Sequence, residues 1–510
     1  MNEIIPDGCD CPDSLPPLRQ RIHEQVDSII AYCESSEEPF FRFEKQLFAL
    51  VRALGCMFVC LFLLSRHRRL DLKAWLTDHR LVDDWVPRRL KTAYGTIRYG
   101  RAYLARRRGK GGFHPLDALL GLTRDTFSPW VISLATRLTT RLSFQTAKMV
   151  VTAFWGWSPS TEALEHLVLG LARSAPRYMA SRPPFTEEEG EILVIEVDGK
   201  AAPMARPTEL EKRRGPRRHG VQCQCGCQRH RGKARRRQRG PKKRRKKWAK
   251  DKNGRSATLV VMYTLRRGDD GLLHGPINKR VWGSFAQRKV MLRWARAEAT
   301  RRGFAADTTK QILILMDGEK CLAQRLKKLF PQALLTLDIR HVEEKLWRVG
   351  IAFHPEGSAE LTAWVEELRK LLYTQGGAAL VEALRERLAL VPMHGPGTRN
   401  KRRGLSKFIA YAEARLPMME YPQRIAGDMP IATGVVEGAV RHVIGQRLDC
   451  GGMRWVVGKA EAMLRLRCLE INGLWDDFFE WTQQRWHTRL QRGEPLLIRT
   501  EEAIPIRRVA

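Results

Sequence analysis

Short apolar runs alternate with helical periodicities through the middle of the chain. The runs at 192–197, 258–263, 312–316 and 333–337 are of strand length, and the first three are rich in β-branched residues. Between the later runs, apolar residues recur at helical spacing over 286–301 and 319–329. Strands that alternate with helices are typical of an α/β sheet, so residues 186–341 are predicted to form an α/β domain.

Helical patterns dominate on both sides of this region. Residues 1–84 are predicted to be helical, most clearly over 43–64, and residues 342–430 form a second helical block with clear segments at 360–372 and 378–390. Residues 431–490 are helical again, and 491–510 form a tail. The most apolar stretch, 53–64, has 12 residues. A bilayer span needs about 20, so we expect a buried helix here and no membrane contact.

Residues 85–185 are predicted to bind DNA. The segment RRLKTAYGTIRYGRAYL (88–104) alternates basic with aromatic or β-branched residues around Gly95, which indicates a hairpin with a basic face. Three helices then follow over 128–173, with Ser128 and Ser160 as caps and Gly156 in the second turn. This spacing fits a helix-turn-helix, and it fits an ordinary helical hairpin in a core equally simply.

The net charge of the chain indicates the kind of partner it binds. Its formal net charge is +35, which implies a polyanionic partner, nucleic acid before an anionic membrane. Residues 212–255 form a basic arm with 21 Lys and Arg against one acid. We expect the arm to fold onto DNA phosphate, although a solvated linker or a nuclear-import signal has the same composition. Its predicted DNA-binding residues are Lys242, Lys243, Arg244, Arg245, Lys246, Lys247 and the stacking Trp248.

The cysteines are eleven in number and scattered, and the N-terminus has no apolar core of a signal peptide. A reduced intracellular compartment is therefore expected. One cluster in the arm has the donor types of a zinc site: Cys223, Cys225, Cys227 and His230. Its one-residue gaps make convergence of four side chains difficult, so zinc binding stays open.

Three acidic residues carry the candidate chemistry. Asp198 and Asp317 each follow an apolar run and precede a glycine, and Glu437 lies in the small-residue stretch ATGVVEGAVRHVIGQRL. An Asp-Gly pair after a strand is also a common turn. Carboxylates on rigid elements, however, are what a two-Mg²⁺ site for phosphodiester cleavage uses. The chain contains no GxxxxGK[ST], GxSxG or HExxH motif.

A family resemblance adds to these patterns. The segment PIATGVVEGAVRHVIGQRLDCGGMRW (430–455), with AEAMLRLRCLEINGLWDDFF soon after, resembles the C-terminal catalytic motif of ISKra-type insertion-sequence transposases. These are Mutator-related DDE enzymes with an RNase H-like core. RRLKTAYGTIRYGRAYL and FHPLDALLGL resemble the family's N-terminal half, so the likeness covers most of 85–490. The chain departs from the family at RRRGKGG, where members often carry a zinc-binding cysteine pair, and in its longer arm.

The resemblance implies a fold and a site. The expected fold is an α/β RNase H-like core, made of 186–341 and 431–490, with an all-α insertion at 342–430 and helical and helix-turn-helix DNA-binding regions before it. Asp198, Asp317 and Glu437 are the implied catalytic residues and hold two Mg²⁺ ions, with Mn²⁺ as a substitute. Asp338 and His341, in the sequence DIRH, are auxiliary. Arg447, Arg454 and Trp455 are expected to contact DNA, with packing as the alternative.

The function implied is that of a DDE transposase, which cuts at transposon ends and joins the freed 3′-hydroxyl to target DNA. Its partners are double-stranded DNA and further copies of itself, as a homodimer or larger. We expect a prokaryotic cytoplasmic, nucleoid-associated protein. Two alternatives remain: a domesticated DNA-binding protein without catalysis, and an RNase H-like nuclease that cuts without joining.

Overall fold

The computed structural model describes residues 8–109, 111–182, 185–205, 210, 254–305 and 310–506. The chain divides into two compact units. Unit 1 is Met1–Pro184 with Ala462–Pro505, and unit 2 is Phe185–Glu461 with Ile506–Ala510. Nearly all of the predicted basic arm lies outside the described residues, and this includes the candidate zinc ligands and the cations from Lys242 to Trp248.

Unit 1 contains a small sheet that begins with the predicted basic hairpin. Strands β2 (His79–Lys91) and β3 (Thr96–Arg106) pair antiparallel, from Lys91 opposite Thr96 to His79 opposite Arg106. The short strands β1 (Gly8–Asp10) and β4 (Gly112–Phe113) pair with β3. The hairpin is therefore as the sequence predicts but longer at both ends, and the N-terminal region is not purely helical.

The helices of unit 1 surround this sheet and continue into the C-terminal part of the chain. Helix Val457–Ile471 contains the division between the two units. The helices are Leu15–Ser35, Phe40–Arg68, Lys73–Leu76, Pro115–Leu120, Pro129–Arg141, Phe144–Trp155, Thr161–Ala172, Ala175–Ser181, Val457–Ile471 and Trp475–Gln491.

The three helices of the helix-turn-helix candidate form with the predicted caps. Ser128, Ser143 and Ser160 each accept a hydrogen bond from a backbone N–H in the first turn of the helix that follows. The third helix, Thr161–Ala172, fits the alternative of a helical hairpin in a core. Seven of its twelve residues are buried, and Glu162 is its one exposed residue. A recognition helix must present a face to the groove, whereas this one is a core helix.

Helix Phe40–Arg68 is the one described helix that is long and apolar enough to cross a bilayer, by length and composition alone. Core helices pass the same criterion, so this is weak evidence for a membrane. The expected burial holds for one face only, where Cys56 and Cys60 join the core around Cys9 and Cys11. Phe58 and Phe62, on the other face of the same stretch, are each 49% exposed. All described cysteines are free thiols.

Unit 2 is built on a five-stranded mixed sheet. Its strands are β5 (Ile192–Pro203), β6 (Gly254–Arg267), β7 (Leu273–Ser284), β8 (Gln311–Met316) and β9 (Leu334–Leu337). The spatial order is β7-β6-β5-β8-β9; the first three strands pair antiparallel, and β8 and β9 continue parallel to β5. Four strands fall where the apolar runs predict them. The sequence reading missed β7 because its first seven residues are mostly exposed and polar.

Helices fill the rest of unit 2, as predicted. Those after β9 enclose their own core, to which Leu346, Leu368 and Leu384 belong. A π-helical turn, Arg441–Gly445, follows the helix that carries Glu437. The α-helices that lie wholly in this unit are Arg288–Arg301, Lys320–Leu329, Ile339–Gly350, Ala359–Gln375, Gly377–Leu390, Thr398–Glu413, Tyr421–Ala426, Gly434–Val440 and Gln446–Leu448.

Candidate functional site

Three aspartates follow corresponding positions on three neighbouring strands. In the parallel ladders of unit 2, Val197 of β5 pairs with Met316 of β8, and Met316 pairs with Leu337 of β9. The next residue on each strand path is an aspartate: Asp198, Asp317 and Asp338. Ligands of open α/β sheets bind outside the carboxyl ends of the strands, and these aspartates begin that edge.

Asp198 and Asp317 are partly exposed, and they interact electrostatically. The pKa of Asp198 is raised by burial and by the negative charges of Asp317 and Asp338, against lowering by a hydrogen bond from Gly199 and by His341. The backbone N–H of Gly199 donates to Asp198 Oδ1 at 2.6 Å. Asp317 Oδ1 accepts from the backbone N–H of Glu319 at 3.1 Å. Each carboxylate therefore keeps its second oxygen for another partner.

Asp338 is fully buried and has several hydrogen-bond donors. It accepts from the backbone N–H of Arg340 at 3.0 Å, from the hydroxyl of Thr433, and contacts His341 Nδ1 at 3.1 Å. Burial alone raises the pKa of Asp338, but these hydrogen bonds outweigh burial and lower it. The same contact raises the pKa of His341, whose ring is partly exposed toward Asp198 and Asp317.

Glu437 lies on the short helix Gly434–Val440, and its side chain is 43% exposed. Its Oε2 is 3.5 Å from Arg340 Nη1. Two buried carboxylates hold the start of this helix. Asp338 binds the Thr433 hydroxyl, and Glu196 Oε2 accepts from the backbone N–H of Val436 at 2.7 Å. The helix is thereby tied to β5 and to the residue after β9.

Sequence reasoning assigned no role to Glu196. Its side chain is completely buried, and Glu196 Oε1 accepts from the hydroxyl of Tyr263 at 2.8 Å. Burial raises the pKa of Glu196 to about 7, against lowering by the hydrogen bonds from Tyr263 and Val436. A carboxylate inside the apolar run ILVIEV was the available signal, because a buried acid requires a hydrogen-bonding partner.

Two of the three predicted DNA contacts after Glu437 are packed inside the protein. Arg447 is 1% exposed, and its guanidinium lies 5.0 Å from the ring centroid of Trp455. Trp455 is also buried; its indole N–H donates to the carbonyl of Leu448 at 3.1 Å. The DNA-contact prediction is therefore wrong for Arg447 and Trp455 in this conformation, and the packing alternative holds. Arg454, between them in the chain, is exposed.

The described residues of the site include solvent-exposed carboxylates but not a complete set of metal ligands. Among the described residues, no group of three or more His, Cys, Asp or Glu side chains is placed to hold a metal ion. Asp198 and Asp317 are near enough to repel each other, while Glu437 faces Arg340. Unlike the pair Asp198 and Asp317, the buried acids Glu196 and Asp338 have their oxygens occupied by protein donors.

No family model matches the chain, and no curated protein matches it. Among solved structures, it is similar to the Drosophila P element transposase strand transfer complex. The identity is 10% and the TM-score 0.23, over 72% of this chain and 83% of that one. A likeness with this TM-score carries no argument about fold or function.

Proposed function

We propose that this chain is a DDE transposase with an RNase H-like core in unit 2. Three antiparallel strands followed by two parallel ones, with β5, the first strand of unit 2, in the middle, support that core. The large positive charge supports DNA as the substrate. The resemblance around Glu437 supports transposition over other DNA chemistry.

One observation carries the proposal. Asp198 and Asp317 follow a registered pair on adjacent parallel strands; Asp198 lies within β5 and Asp317 directly follows β8, so the sheet positions both carboxylates. Burial and, after it, the negative charge of Asp317 raise the pKa of Asp198, as expected for a carboxylate held near another one. A cation between them relieves that repulsion, so the residues fit a hard divalent ion such as Mg²⁺, which prefers carboxylate oxygens.

In this proposal Asp198 and Asp317 hold Mg²⁺, and Glu437 is the third acid. When bound, Mg²⁺ supplies activation of the attacking oxygen and stabilisation of the leaving oxygen. His341 interacts electrostatically with both carboxylates of this pair, and its contact with Asp338 raises its pKa. Asp338 fixes the orientation of the His341 ring through Nδ1. Glu196 and Thr433 fix the start of the Glu437 helix.

The decisive experiment is a cleavage and joining assay with duplexes taken from the DNA that flanks the coding region. The proposal expects 3′-end cleavage with Mg²⁺, and joining of pre-cut ends to a target plasmid. Glu437→Gln should lose both reactions and still bind the same duplex. Asp269→Asn, an exposed acid of unit 2 outside the site, is the matched control and should remain active.

Two alternatives give different products in the same assay. A nuclease without transfer activity gives cut product from intact duplexes and no joined product from pre-cut ends. A non-catalytic DNA-binding protein gives neither, whatever the metal, and its binding is unchanged by Glu437→Gln. Joining that persists in Glu437→Gln contradicts the assignment of the third acid.

A further inference from the structure

A cavity of about 520 Å³ lies in unit 1, between the basic hairpin and the FHPLDALLGL segment. Both motifs line it: Arg88, Arg89, Arg101 and Tyr103 come from the hairpin, and Phe113, His114 and Asp117 come from the second motif. Cavities of this size commonly hold a small ligand. The proposed strand-transfer chemistry uses none of these residues.

The charge around this cavity is unbalanced. Four arginines and three carboxylates line it, but two of the carboxylates already pair with arginines outside the lining. Asp125 binds Arg499 at 3.0 Å, and Glu494 binds Arg489 at 2.9 Å. The third, Asp117, is buried between Arg88 and Arg101 and cannot neutralise both. A net positive charge therefore remains in the cavity.

Two observations indicate that this positive charge is available to a ligand. Arg101 Nε is buried and has no hydrogen-bond partner in the described part of the chain. Arg89 and Arg124 are exposed at the cavity, and their side chains form no hydrogen bond or ion pair with any described residue. Crowding of arginines also contributes, after burial, to lowering the pKa of Arg101 to about 10 and that of His114 to about 4.

We propose that this cavity binds the phosphate of a nucleotide unit, either within a DNA strand or free. Guanidinium groups bind phosphate with paired, charge-assisted hydrogen bonds, which suits Arg89, Arg124 and the unpartnered Arg101 Nε. The cavity is larger than a phosphate alone. Tyr103 and His114, whose ring centroids are 5.1 Å apart, supply aromatic surface against which a base can stack.

Equilibrium dialysis with labelled deoxyadenosine 5′-monophosphate tests the proposal. We expect saturable binding of one equivalent that deoxyadenosine does not compete away. Arg89→Ala with Arg124→Ala should weaken binding at least tenfold, because two charge-assisted contacts are lost. The matched control is Arg19→Ala with Arg42→Ala, two exposed arginines of the same unit, and it should change binding less than twofold. Thermal denaturation checks that both double variants fold.

Competition by a short oligonucleotide without a terminal phosphate identifies the source of the phosphate. If it displaces the mononucleotide, the cavity takes a phosphodiester of a DNA strand, and Arg89→Ala with Arg124→Ala should lower the salt slope of DNA binding by about 2. If only the mononucleotide binds, the ligand is a free nucleotide. No saturable binding, or equal loss in both double variants, overturns the proposal. None of these readouts depends on DNA cleavage.

Discussion

The acidic residues of the two units differ in what faces them. In unit 1, buried Asp125 accepts from two backbone N–H groups, the Thr123 hydroxyl and the Arg499 guanidinium. Asp117 lies between two arginines. In unit 2, Asp198 and Asp317 each accept one local backbone hydrogen bond and face each other's charge. The first pair is neutralised by arginines, whereas the second pair keeps its mutual repulsion and is compensated only in part, by His341.

This difference separates structural acids from candidate catalytic ones. A buried carboxylate with protein cations on several sides stabilises the fold, and it has no capacity left for a ligand. Two neighbouring carboxylates that the sheet holds open to solvent repel each other. This repulsion slightly destabilises the unliganded protein, and a bound cation relieves it. The cavity of unit 1 has the opposite imbalance, because arginines are in excess around it and would gain from a bound anion.

The largest effect is expected for Asp317→Asn. Removing one of the open carboxylates should reduce DNA cleavage by about 10³-fold or more, because a metal ligand supplies several kcal/mol to the transition state. The free energy of unfolding without metal should stay the same or rise, since repulsion with Asp198 disappears. Initial rates with Mg²⁺ and urea denaturation with chelator measure the two effects. A marked loss of stability would place Asp317 with the structural acids.

Asp117→Asn should instead lower the free energy of unfolding. Its removal leaves Arg88 and Arg101 buried beside each other, and breaking a buried pair typically costs about 3–5 kcal/mol of unfolding free energy. Asp10→Asn is the control: its pair with Arg98 spans 3.8 Å with both side chains exposed, and it should change stability by under about 1 kcal/mol. Equal, small losses in both variants would contradict the compensated state of Asp117.

The apolar runs were sufficient to predict most of the sheet in unit 2. Strands β5, β6, β8 and β9 are buried on both faces or nearly so, and such strands appear in sequence as continuous apolar segments. Strand β7 begins with LHGPINK, in which polar residues, glycine and proline interrupt the apolar ones, so no continuous apolar run arises. The caps at Ser128, Ser143 and Ser160 are local interactions, so sequence alone could place these helices but not their burial.

The site could be predicted only in part, for a related reason. The ends of apolar runs mark Asp198 and Asp317 locally, but the shared register of Val197, Met316 and Leu337 is a property of the folded sheet. The hydrogen bond from Val436 to Glu196 joins residues 240 apart in sequence. Likewise, the charge of Arg447 suggested a surface role, whereas its stacking on Trp455 depends on tertiary packing.

Glu196→Gln tests whether the buried Glu196 supports catalysis by positioning the helix that carries Glu437. A glutamine retains one acceptor oxygen, so either the Val436 N–H or the Tyr263 hydroxyl proton loses its acceptor, at a cost of about 1–3 kcal/mol in unfolding free energy. Cleavage should fall further than DNA binding, since the start of the Glu437 helix loosens. Tyr263→Phe leaves the Val436 bond intact and should affect cleavage less. Equal cleavage by Glu196→Gln and the wild type would show that this anchor is dispensable.

The smallest expected effect is a pH dependence in the cationic cavity of unit 1. Burial and the nearby Arg101 lower the pKa of His114 to about 4 from an ordinary 6.5. The unfolded chain therefore binds the extra proton first, and stability is lost as pH falls from about 6.5 to about 4. Because the ring is partly exposed, we expect less than about 2 kcal/mol.

Urea denaturation of the wild type and His114→Gln between pH 7 and pH 4.5 measures this contribution as the difference between their slopes, and the slope of the variant should be the smaller. Deoxyadenosine 5′-monophosphate at saturation should also flatten the wild-type slope, because a bound phosphate places negative charge beside the ring and raises the pKa of His114. A slope that persists in His114→Gln belongs to another group. A slope that the nucleotide leaves unchanged shows that the phosphate does not approach His114.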